Sequence, residues 1–277
     1  MTKQSVILIT GASSGFGKIT ANALIEQGHI VYGTSRKAFN ASNGCRMLAL
    51  DVTNPISIQK AIQQIIEEEG RIDVLINNAG MGISGAIELA TEEEMHQQIN
   101  TNFFGVANMC KAVLPHMRAA RQGKIINISS IAGVLAVPFQ GFYSASKFAI
   151  EGYSEALALE VEPFNIKVCV VEPGDFQTNF TANRNVSALT LSDPDYKEIF
   201  QRTMQIIEHE ENNGAKPERL AKAICSLVAQ KKPPFRTKVG PAEQVFLAKI
   251  QAFIPNRLLQ FILKTFYKIP TDVNISR

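Results

Sequence analysis

A tyrosine and a lysine, Tyr143 and Lys147, stand four residues apart in a stretch of helix-forming sequence. Residues at this spacing share one face of a helix, so the two side chains stack one turn apart. A phenol with a pKa of about 10 is a poor base at neutral pH, but a nearby ammonium stabilises the phenolate and lowers that pKa. We therefore expect Tyr143 to act as a general acid/base on a carbonyl oxygen. By itself, such a pair is more often two exposed residues on an amphipathic helix.

A glycine-rich turn, Thr10-Gly11-Ala12-Ser13-Ser14-Gly15-Phe16-Gly17, lies between an apolar run and a helix-like segment. Gly11 permits a tight turn, Gly15 lets backbone amides approach a pyrophosphate, and Gly17 lets the helix pack close to the strand. In this strand–turn–helix setting the turn predicts a dinucleotide site. The predicted contacts from the turn are Gly11, Ser13, Ser14, Gly15, Phe16 and Gly17.

The end of the second apolar run indicates which dinucleotide binds. Folds that use NAD place an acid there, which holds the ribose 2′-hydroxyl and repels a 2′-phosphate. Here the run ends in Ser35, Arg36 and Lys37, with two bases and no acid. Arg36 can hold a phosphate through charge-assisted hydrogen bonds, with the hydroxyls of Ser13 and Ser35 beside it. We therefore expect NADP(H) to be favoured over NAD(H), a solvated basic turn being the alternative.

Short β-branched runs alternate with helix-length amphipathic segments, a pattern typical of a parallel sheet covered on both faces. The predicted strands are Ser5–Thr10, His29–Ser35, Cys45–Leu50, Ile72–Asn77, Gly123–Ser129, Ile166–Glu172 and, near the end, Phe235–Val239. The predicted helices are Gly15–Gln27, Pro55–Glu69, Thr91–Ala119, Gly141–Glu162 and Pro217–Gln230. With connections this short, the sequence predicts a single α/β domain over residues 1–240, a Rossmann-type doubly wound parallel sheet.

Two segments depart from this alternation. Residues 175–215 are polar and helix-prone and follow the carboxyl end of a strand, where such folds build a substrate pocket. Residues 241–277 form an apolar, basic helical extension of the same domain, divided by Pro255. For these helices we favour closure of a substrate pocket or packing against a second subunit. Contact with an anionic membrane surface and completion of the core are the alternatives.

Several motifs, taken in order along the chain, together resemble the short-chain dehydrogenase/reductase family in its single-domain branch. Thr10–Gly17 matches the family's T-G-x-x-x-G-x-G, and Asn77–Gly80 matches its N-N-A-G. Tyr143–Lys147 matches its Y-x-x-x-K, and Pro173-Gly174 its P-G. The resemblance extends from about Val6 to Thr178. The basic, apolar ending is similar to that of steroid- and retinoid-converting, NADP-dependent members.

The resemblance implies roles for further residues. Ser130 stands at the family's distance before the tyrosine and would hold the substrate oxygen; its neighbour Ser129 points to the opposite face and is the rival. Asn102 would hold a helix kink and a water beside Lys147, and Lys147 would hydrogen-bond the nicotinamide ribose. The remaining cofactor contacts implied are Asp51, Val52, Asn78, Ala79, Gly80, Tyr143, Pro173, Gly174, Phe176 and Thr178.

These observations predict an NADP(H)-dependent oxidoreductase that moves a hydride between nicotinamide and a carbonyl or secondary alcohol. We expect a small hydrophobic substrate of steroid, retinoid or lipid type. The competing hypothesis is a non-catalytic, NADPH-binding regulatory protein, which would tolerate loss of Tyr143. The resemblance further implies a homodimer or homotetramer formed through the long helices that contain Asn102 and Tyr143.

Composition argues against several other classes. The chain has 277 residues and a net charge of +3, which gives no reason to expect nucleic-acid binding. The charge is uneven, because Lys231–Arg277 contains nine basic and two acidic residues, a balance of +7. The four cysteines are far apart and share no ligand-like spacing with histidine, so we expect buried thiols in the cytoplasm and no metal. We expect no signal peptide and no membrane-spanning helix.

Overall fold

A computed structural model describes residues 4–37, 44–178 and 184–270. Parts of two predicted segments lie outside the described residues: 179–183 of the substrate loop and 271–277 of the C-terminal extension. Within the described ranges, no helix has both the length and the hydropathy that crossing a bilayer requires.

The strands alternate with helices along the chain, as the sequence predicts. The strands are β1 (Val6–Ile9), β2 (Ile30–Ser35), β3 (Arg46–Ala49), β4 (Val74–Asn77), β5 (Ile83–Ser84), β6 (Gly123–Ile128), β7 (Ile166–Pro173), β8 (Asn185–Val186) and β9 (Arg236–Val239). The helices are α1 (Gly15–Glu26), α2 (Pro55–Glu69), α3 (Glu92–Ile99), α4 (Gly105–Ala120), α5 (Gly141–Val161), α6 (Ala188–Ser192), α7 (Lys197–Asn212), α8 (Pro217–Ala229), α9 (Ala242–Ile250) and α10 (Asn256–Phe266).

Seven strands form one parallel sheet in the order β3-β2-β1-β4-β6-β7-β9. The strand order reverses between β1 and β4, and ligands of such sheets bind in the crevice at this switch point, beyond the carboxyl ends of the strands. The predicted Rossmann-type doubly wound fold is therefore confirmed. The short β5 and β8 pair separately, in parallel.

The core has two layers, one on each face of the sheet. Val6 and Leu8 of β1 pack on one face with residues of α2, α4 and α5, whereas Ile7 and Ile9 pack on the other with α1 and α8. Successive strand residues point to opposite faces, so a strand buried on both sides needs an uninterrupted apolar run. This explains why the strands read as continuous β-branched sequence.

One predicted helix, Thr91–Ala119, is not continuous. It consists of α3, a π-helical turn at Asn100–Phe104 and α4. A capping box formed by Thr91 and Glu94 begins α3, and the turn follows where the Asn102 side chain bonds to a neighbouring loop. The predicted helical segment is thus interrupted at Asn102, where the resemblance implies a helix kink, although periodicity alone does not report a single widened turn.

The C-terminal extension does not complete the core, which was one of the alternatives considered for it. Between residues 241 and 270, Ala248 alone is buried, and α10 buries no residue. These helices therefore lie on the outside of the domain and do not complete its core.

Candidate active site

The carboxyl ends of the central strands open into a cleft of about 1110 Å³. The glycine turn after β1 and the end of β2 line one arm of the cleft. Residues after β6 and β7, together with α5, line its middle, and α7, α9 and α10 line the other arm. The fold thus gathers nearly all of the predicted site residues in the lining of one cleft. Among the predicted residues, Gly17 and Asn102 do not line it.

The glycine turn has the backbone that the prediction requires. Gly11 and Gly15 adopt φ of +68° and +50°, a region that disfavours residues with a Cβ. A Cβ on Gly17 would come within 2.3 Å of the Gly11 carbonyl oxygen, whereas one on Gly15 would meet no protein atom within 4 Å. Gly17 is therefore needed for close packing, and Gly15 faces open space at the amino terminus of α1. This cradle fits a dinucleotide pyrophosphate.

Asn78 supports this cradle from below. Its Nδ2 donates to the carbonyl oxygens of Thr10 (2.9 Å) and Gly11 (3.0 Å). The Thr10 hydroxyl in turn accepts from the backbone N–H groups of Asn78 and Ala79, each at 3.0 Å. Asn78 and Ala79 both line the cleft with Gly80, but the Asn78 side chain is engaged with the turn. Its position favours holding the turn in shape over bonding a nucleotide directly.

The nucleotide arm of the cleft ends at basic and polar side chains. Ser13, Ser35 and the exposed Arg36 line it together, at the place where the sequence predicts a 2′-phosphate contact. Asp51 and Val52, which follow β3, also line the cleft. One Asp51 oxygen accepts from the backbone and hydroxyl of Thr53, at 2.8 and 2.7 Å, which fixes the carboxylate at the rim.

Ser130 and Tyr143 meet in the middle of the cleft. Ser130 follows β6, where its Oγ accepts from the backbone N–H of Ala132 at 3.0 Å, and its hydroxyl also hydrogen-bonds the Tyr143 phenol. Ser129 is buried, and its hydroxyl donates to the Lys147 carbonyl at 3.5 Å. The geometry thus puts Ser130, and not Ser129, beside the tyrosine.

Lys147 lies one helical turn behind Tyr143, as its spacing predicts. Its Nζ is 5.6 Å from the centre of the Tyr143 ring and donates to the Ile128 carbonyl at 2.9 Å. Burial lowers the pKa of the Lys147 ammonium to about 8 and raises the pKa of the Tyr143 phenol to about 12. The expected lowering of the tyrosine pKa is therefore not found, because loss of solvation outweighs the Ser130 hydrogen bond and the Arg184 charge, which act in the opposite direction. A phenol with this pKa is protonated at neutral pH.

Asn102 sits behind Lys147, in the π-helical turn. Its Oδ1 accepts from the backbone N–H of Met81 at 2.9 Å. Its Nδ2 donates to the Met81 carbonyl at 2.9 Å and to the Ser146 hydroxyl at 3.1 Å. A Cβ built on Gly80 would lie 3.4 Å from Asn102 Oδ1 and 3.9 Å from Lys147 Nζ, so the three residues meet around one small space. The asparagine therefore ties the loop after β4 to the helix that holds the lysine.

The residues after β7 close the middle of the cleft. Pro173, Gly174, Phe176 and Thr178 all line it. The Gly174 N–H donates to the Val239 carbonyl at 2.8 Å, which anchors the turn to β9. Phe176 packs edge-to-face on Phe16 of the glycine turn, with ring centres 5.1 Å apart. The two halves of the predicted nucleotide site are thus in contact.

Sequence reasoning missed a group of charged residues at the substrate arm. Asp175 accepts from Gln244 Nε2 at 2.5 Å, and its N–H donates to Gln244 Oε1 at 2.9 Å. Burial raises the pKa of Asp175 to about 6. The buried Arg184 forms an ion pair with Glu211, and Glu210 and Glu211 line the cleft. These residues come from distant parts of the chain, and no local motif marks them.

The far end of the substrate arm is apolar. Its lining includes Ile207 of α7, Leu247 of α9, and Ile262, Leu263 and Phe266 of α10. The C-terminal helices therefore close the cleft, the first of the roles favoured for them. Among the described residues, no group of three or more His, Cys, Asp or Glu side chains could hold a metal ion.

Known proteins share this sequence and geometry. The family model described as short chain dehydrogenase matches residues 5–188. A 3-ketodihydrosphingosine reductase of Bacteroides thetaiotaomicron is 66% identical over 264 residues, which cover 95% of this chain and 98% of that protein. An NADPH-dependent 3-dehydrocapnine reductase of Ornithobacterium rhinotracheale is 32% identical, and the match covers 94% of this chain and 95% of that protein.

A solved structure gives the same result for the fold. The crystal structure of a short-chain dehydrogenase from Streptomyces avermitilis is 34% identical and superposes with a TM-score of 0.81, covering 96% of this chain and 98% of that one. The family match spans well over half of the sequence, and the cleft holds the residues by which the family is recognised. This chain belongs to the short-chain dehydrogenase family and is an oxidoreductase that acts on C=O and CH–OH groups with NAD(P).

Proposed function

We propose that this enzyme reduces the ketone of a long-chain amino ketone, of the 3-ketodihydrosphingosine type, with NADPH. The observation that carries the proposal is the shape of the cleft: one arm fits a dinucleotide, Ser130 and Tyr143 stand in the middle, and the other arm becomes apolar along α9 and α10. The Bacteroides relative at 66% identity supports the substrate type. The regulatory alternative is not favoured, because Ser130, Tyr143 and Lys147 are all in place.

NADPH is proposed over NADH on the basis of the β2 end. Arg36 lines the nucleotide arm beside Ser13 and Ser35, and no acid follows β2 through Lys37. A guanidinium can bond a 2′-phosphate at two points. The NADPH-dependent relative from Ornithobacterium is consistent with this preference.

The chemistry proposed for the chain is proton donation to a developing alkoxide. The bound nicotinamide supplies the hydride. Ser130 holds the carbonyl oxygen through its hydroxyl, and Tyr143, protonated at neutral pH, donates its phenolic proton to the same oxygen. Lys147 is held at the Ile128 carbonyl, so its charge stabilises the phenolate that remains. Asn102 acts as a positioning residue for the loop beside that lysine.

The charge and polarity of the substrate arm favour an ammonium beside the ketone. Three acids, Asp175, Glu210 and Glu211, line this arm. Arg184 forms an ion pair with Glu211, and its charge also acts on Asp175. The charges of Asp175 and Glu211 act on Tyr143. A pKa of about 6 leaves Asp175 mainly ionised at neutral pH. An amino group next to the carbonyl would find a counter-charge there. The apolar residues of α9 and α10 would hold the alkyl chain.

Two further properties are proposed from the surface and the thiols. Phe104, Phe148 and Leu159 are exposed on the π-helical turn and α5, the helical face through which a homodimer or homotetramer would form. The four cysteines are buried thiols, which suits the reducing cytoplasm.

The test is NADPH consumption with a panel of ketones. We expect 3-ketodihydrosphingosine to have a kcat/KM at least about tenfold above that of a ketone of equal length without the amine, because a lost charge pair costs about 1.5–3 kcal/mol. Asp175→Asn should reduce this preference, while Asp195→Asn, an exposed control on the surface, should not. Turnover of retinal or steroid ketones alone would contradict the substrate. Tight NADPH binding without any turnover would restore the regulatory hypothesis.

A further inference from the structure

The C-terminal helices expose an unusual number of large apolar side chains. Phe253, Phe261, Phe246 and Leu258 are 87, 67, 62 and 50% exposed. Exposed apolar side chains that occur singly are ordinary, but a concentration of aromatic residues in one segment marks an interaction surface. We call the four residues the apolar rim.

Helix α10 is amphipathic, yet it contributes nothing to the core. Its apolar residues recur on one side of the helix, and Ile262, Leu263 and Phe266 line the cleft. Leu258 and Phe261 extend that apolar side beyond the cleft and stay exposed. The inner part of the apolar side therefore borders the substrate arm, and the outer part is open to a partner.

The charge of this segment identifies the kind of partner. From residue 241 to 270 the chain has four basic residues, Lys249, Arg257, Lys264 and Lys268, against the single acid Glu243. All four are exposed, and none pairs with a carboxylate among the residues that the structure describes. Exposed aromatic and aliphatic side chains flanked by lysine and arginine suit the interface of an anionic lipid bilayer.

A second copy of the chain fits this surface less well. In a twofold contact the same patch meets itself, so the four cations of one copy would face the four of the other. Like charges opposed across an interface are repelled, whereas anionic lipid headgroups attract them.

We propose that the apolar rim and its four basic residues dock on an anionic membrane surface and bring the apolar arm of the cleft to the lipid. Docking itself needs no particular substrate, but the benefit rests on the proposed function. An alkyl chain that leaves the bilayer beside α10 would meet Ile262, Leu263 and Phe266 before it is exposed to water. A lipid ketone would thus enter the site without first dissolving.

Vesicle flotation tests the docking. Wild-type protein should float with vesicles of phosphatidylcholine and phosphatidylglycerol and at least about fivefold less with phosphatidylcholine alone. Phe253→Ser and Phe261→Ser should each reduce flotation, whereas Ile56→Ser, an 80% exposed residue of α2, should leave it unchanged. Lys249→Glu combined with Lys264→Glu should abolish the preference for anionic vesicles.

Matched measurements separate this proposal from the proposed function. Lys60→Glu combined with Lys222→Glu reverses two exposed charges on α2 and α8 and should float like wild type. Turnover of a short, water-soluble amino ketone should be equal in the rim variants and wild type, because the rim lies outside the cleft lining. Docking is refuted if wild-type protein stays at the bottom of the gradient or if the rim variants float as it does. Conversion of a dimer to a monomer by the rim variants, without vesicle binding, would make the rim a subunit contact.

Discussion

Asn102 gives the most quantitative prediction, because each of its hydrogen bonds is defined. The side chain is 1% exposed and bonds the N–H and carbonyl of Met81 and the Ser146 hydroxyl. In Asn102→Ala the Met81 carbonyl keeps a donor, Gln98 Nε2 at 2.9 Å, and the Ser146 hydroxyl still donates to the Tyr143 carbonyl at 2.6 Å. The Met81 N–H is therefore the group that loses its acceptor.

The expected loss of stability follows from the one hydrogen bond that cannot be replaced, that of the Met81 N–H. The Met81 N–H is partly buried, so leaving it without an acceptor costs about 1–2 kcal/mol, the lower part of the range for buried donors, and the small cavity adds about 1 kcal/mol. The free energy of unfolding of Asn102→Ala should thus fall by about 2–3 kcal/mol. Urea unfolding measures it, and an unchanged slope against urea would show that the denatured state is the same in both proteins.

A surface variant and the size of the change make this test decisive. Lys111→Ala, at an exposed position of α4, should change the free energy of unfolding by less than about 0.5 kcal/mol. A loss below about 1 kcal/mol for Asn102→Ala would contradict the role of Asn102 in anchoring the Met81 loop.

The other predictions concern three basic side chains. Arg36→Ala should weaken NADPH binding about 5- to 30-fold, as loss of an exposed phosphate contact worth about 1–2 kcal/mol implies, and leave NADH binding unchanged in direct titrations; equal weakening of both would contradict the assignment. Burial lowers the pKa of Lys147 to about 8, so between this pH and about 10.4 the unfolded state binds more protons at this residue, and the contribution of Lys147 to stability grows with pH. Urea unfolding at both pH values should therefore show the free energy of unfolding of wild type shifting upward relative to that of Lys147→Met, and a difference that stays constant would argue against the lowered pKa. The buried Lys124 donates to three backbone carbonyls at the end of α8, at 2.6, 2.7 and 2.8 Å, so Lys124→Met should lower the free energy of unfolding by about 2–4 kcal/mol. A cost no larger than that of Lys111→Met would disprove it.

The sheet and its flanking helices could be predicted from the sequence because both faces of the sheet are buried. Strands such as β1 are continuous apolar runs, and their ends agree with the predicted boundaries to within about two residues. The two-residue strands β5 and β8 were not foreseen, since they are too short to show any period.

Much of the candidate site could also be predicted from the sequence, because its motifs follow strands whose carboxyl ends meet at one edge of the sheet. The glycine turn, Ser130, Tyr143 and Lys147 were gathered in this way. What escaped prediction depends on environment. The direction of the pKa shift of Tyr143 is set by enclosure in the cleft, which local spacing does not report.

The substrate arm was even less predictable from the sequence. Asp175 and Gln244 are 69 residues apart, and only the folded chain brings them into contact. The role of the C-terminal helices was likewise undetermined, because an amphipathic pattern does not say what covers its apolar side. The structure shows that α10 lines the cleft on its inner side and is exposed beyond it.

The central claim is that Tyr143 donates the proton to the ketone oxygen. Its most direct test is turnover of 3-ketodihydrosphingosine with NADPH by Tyr143→Phe, with NADPH affinity measured on the same preparation. The account predicts a fall in kcat of about 10²- to 10⁴-fold with NADPH binding little changed, because the phenolic hydroxyl is the only group removed. Turnover within about tenfold of wild type would contradict the claim and require another proton donor in the cleft.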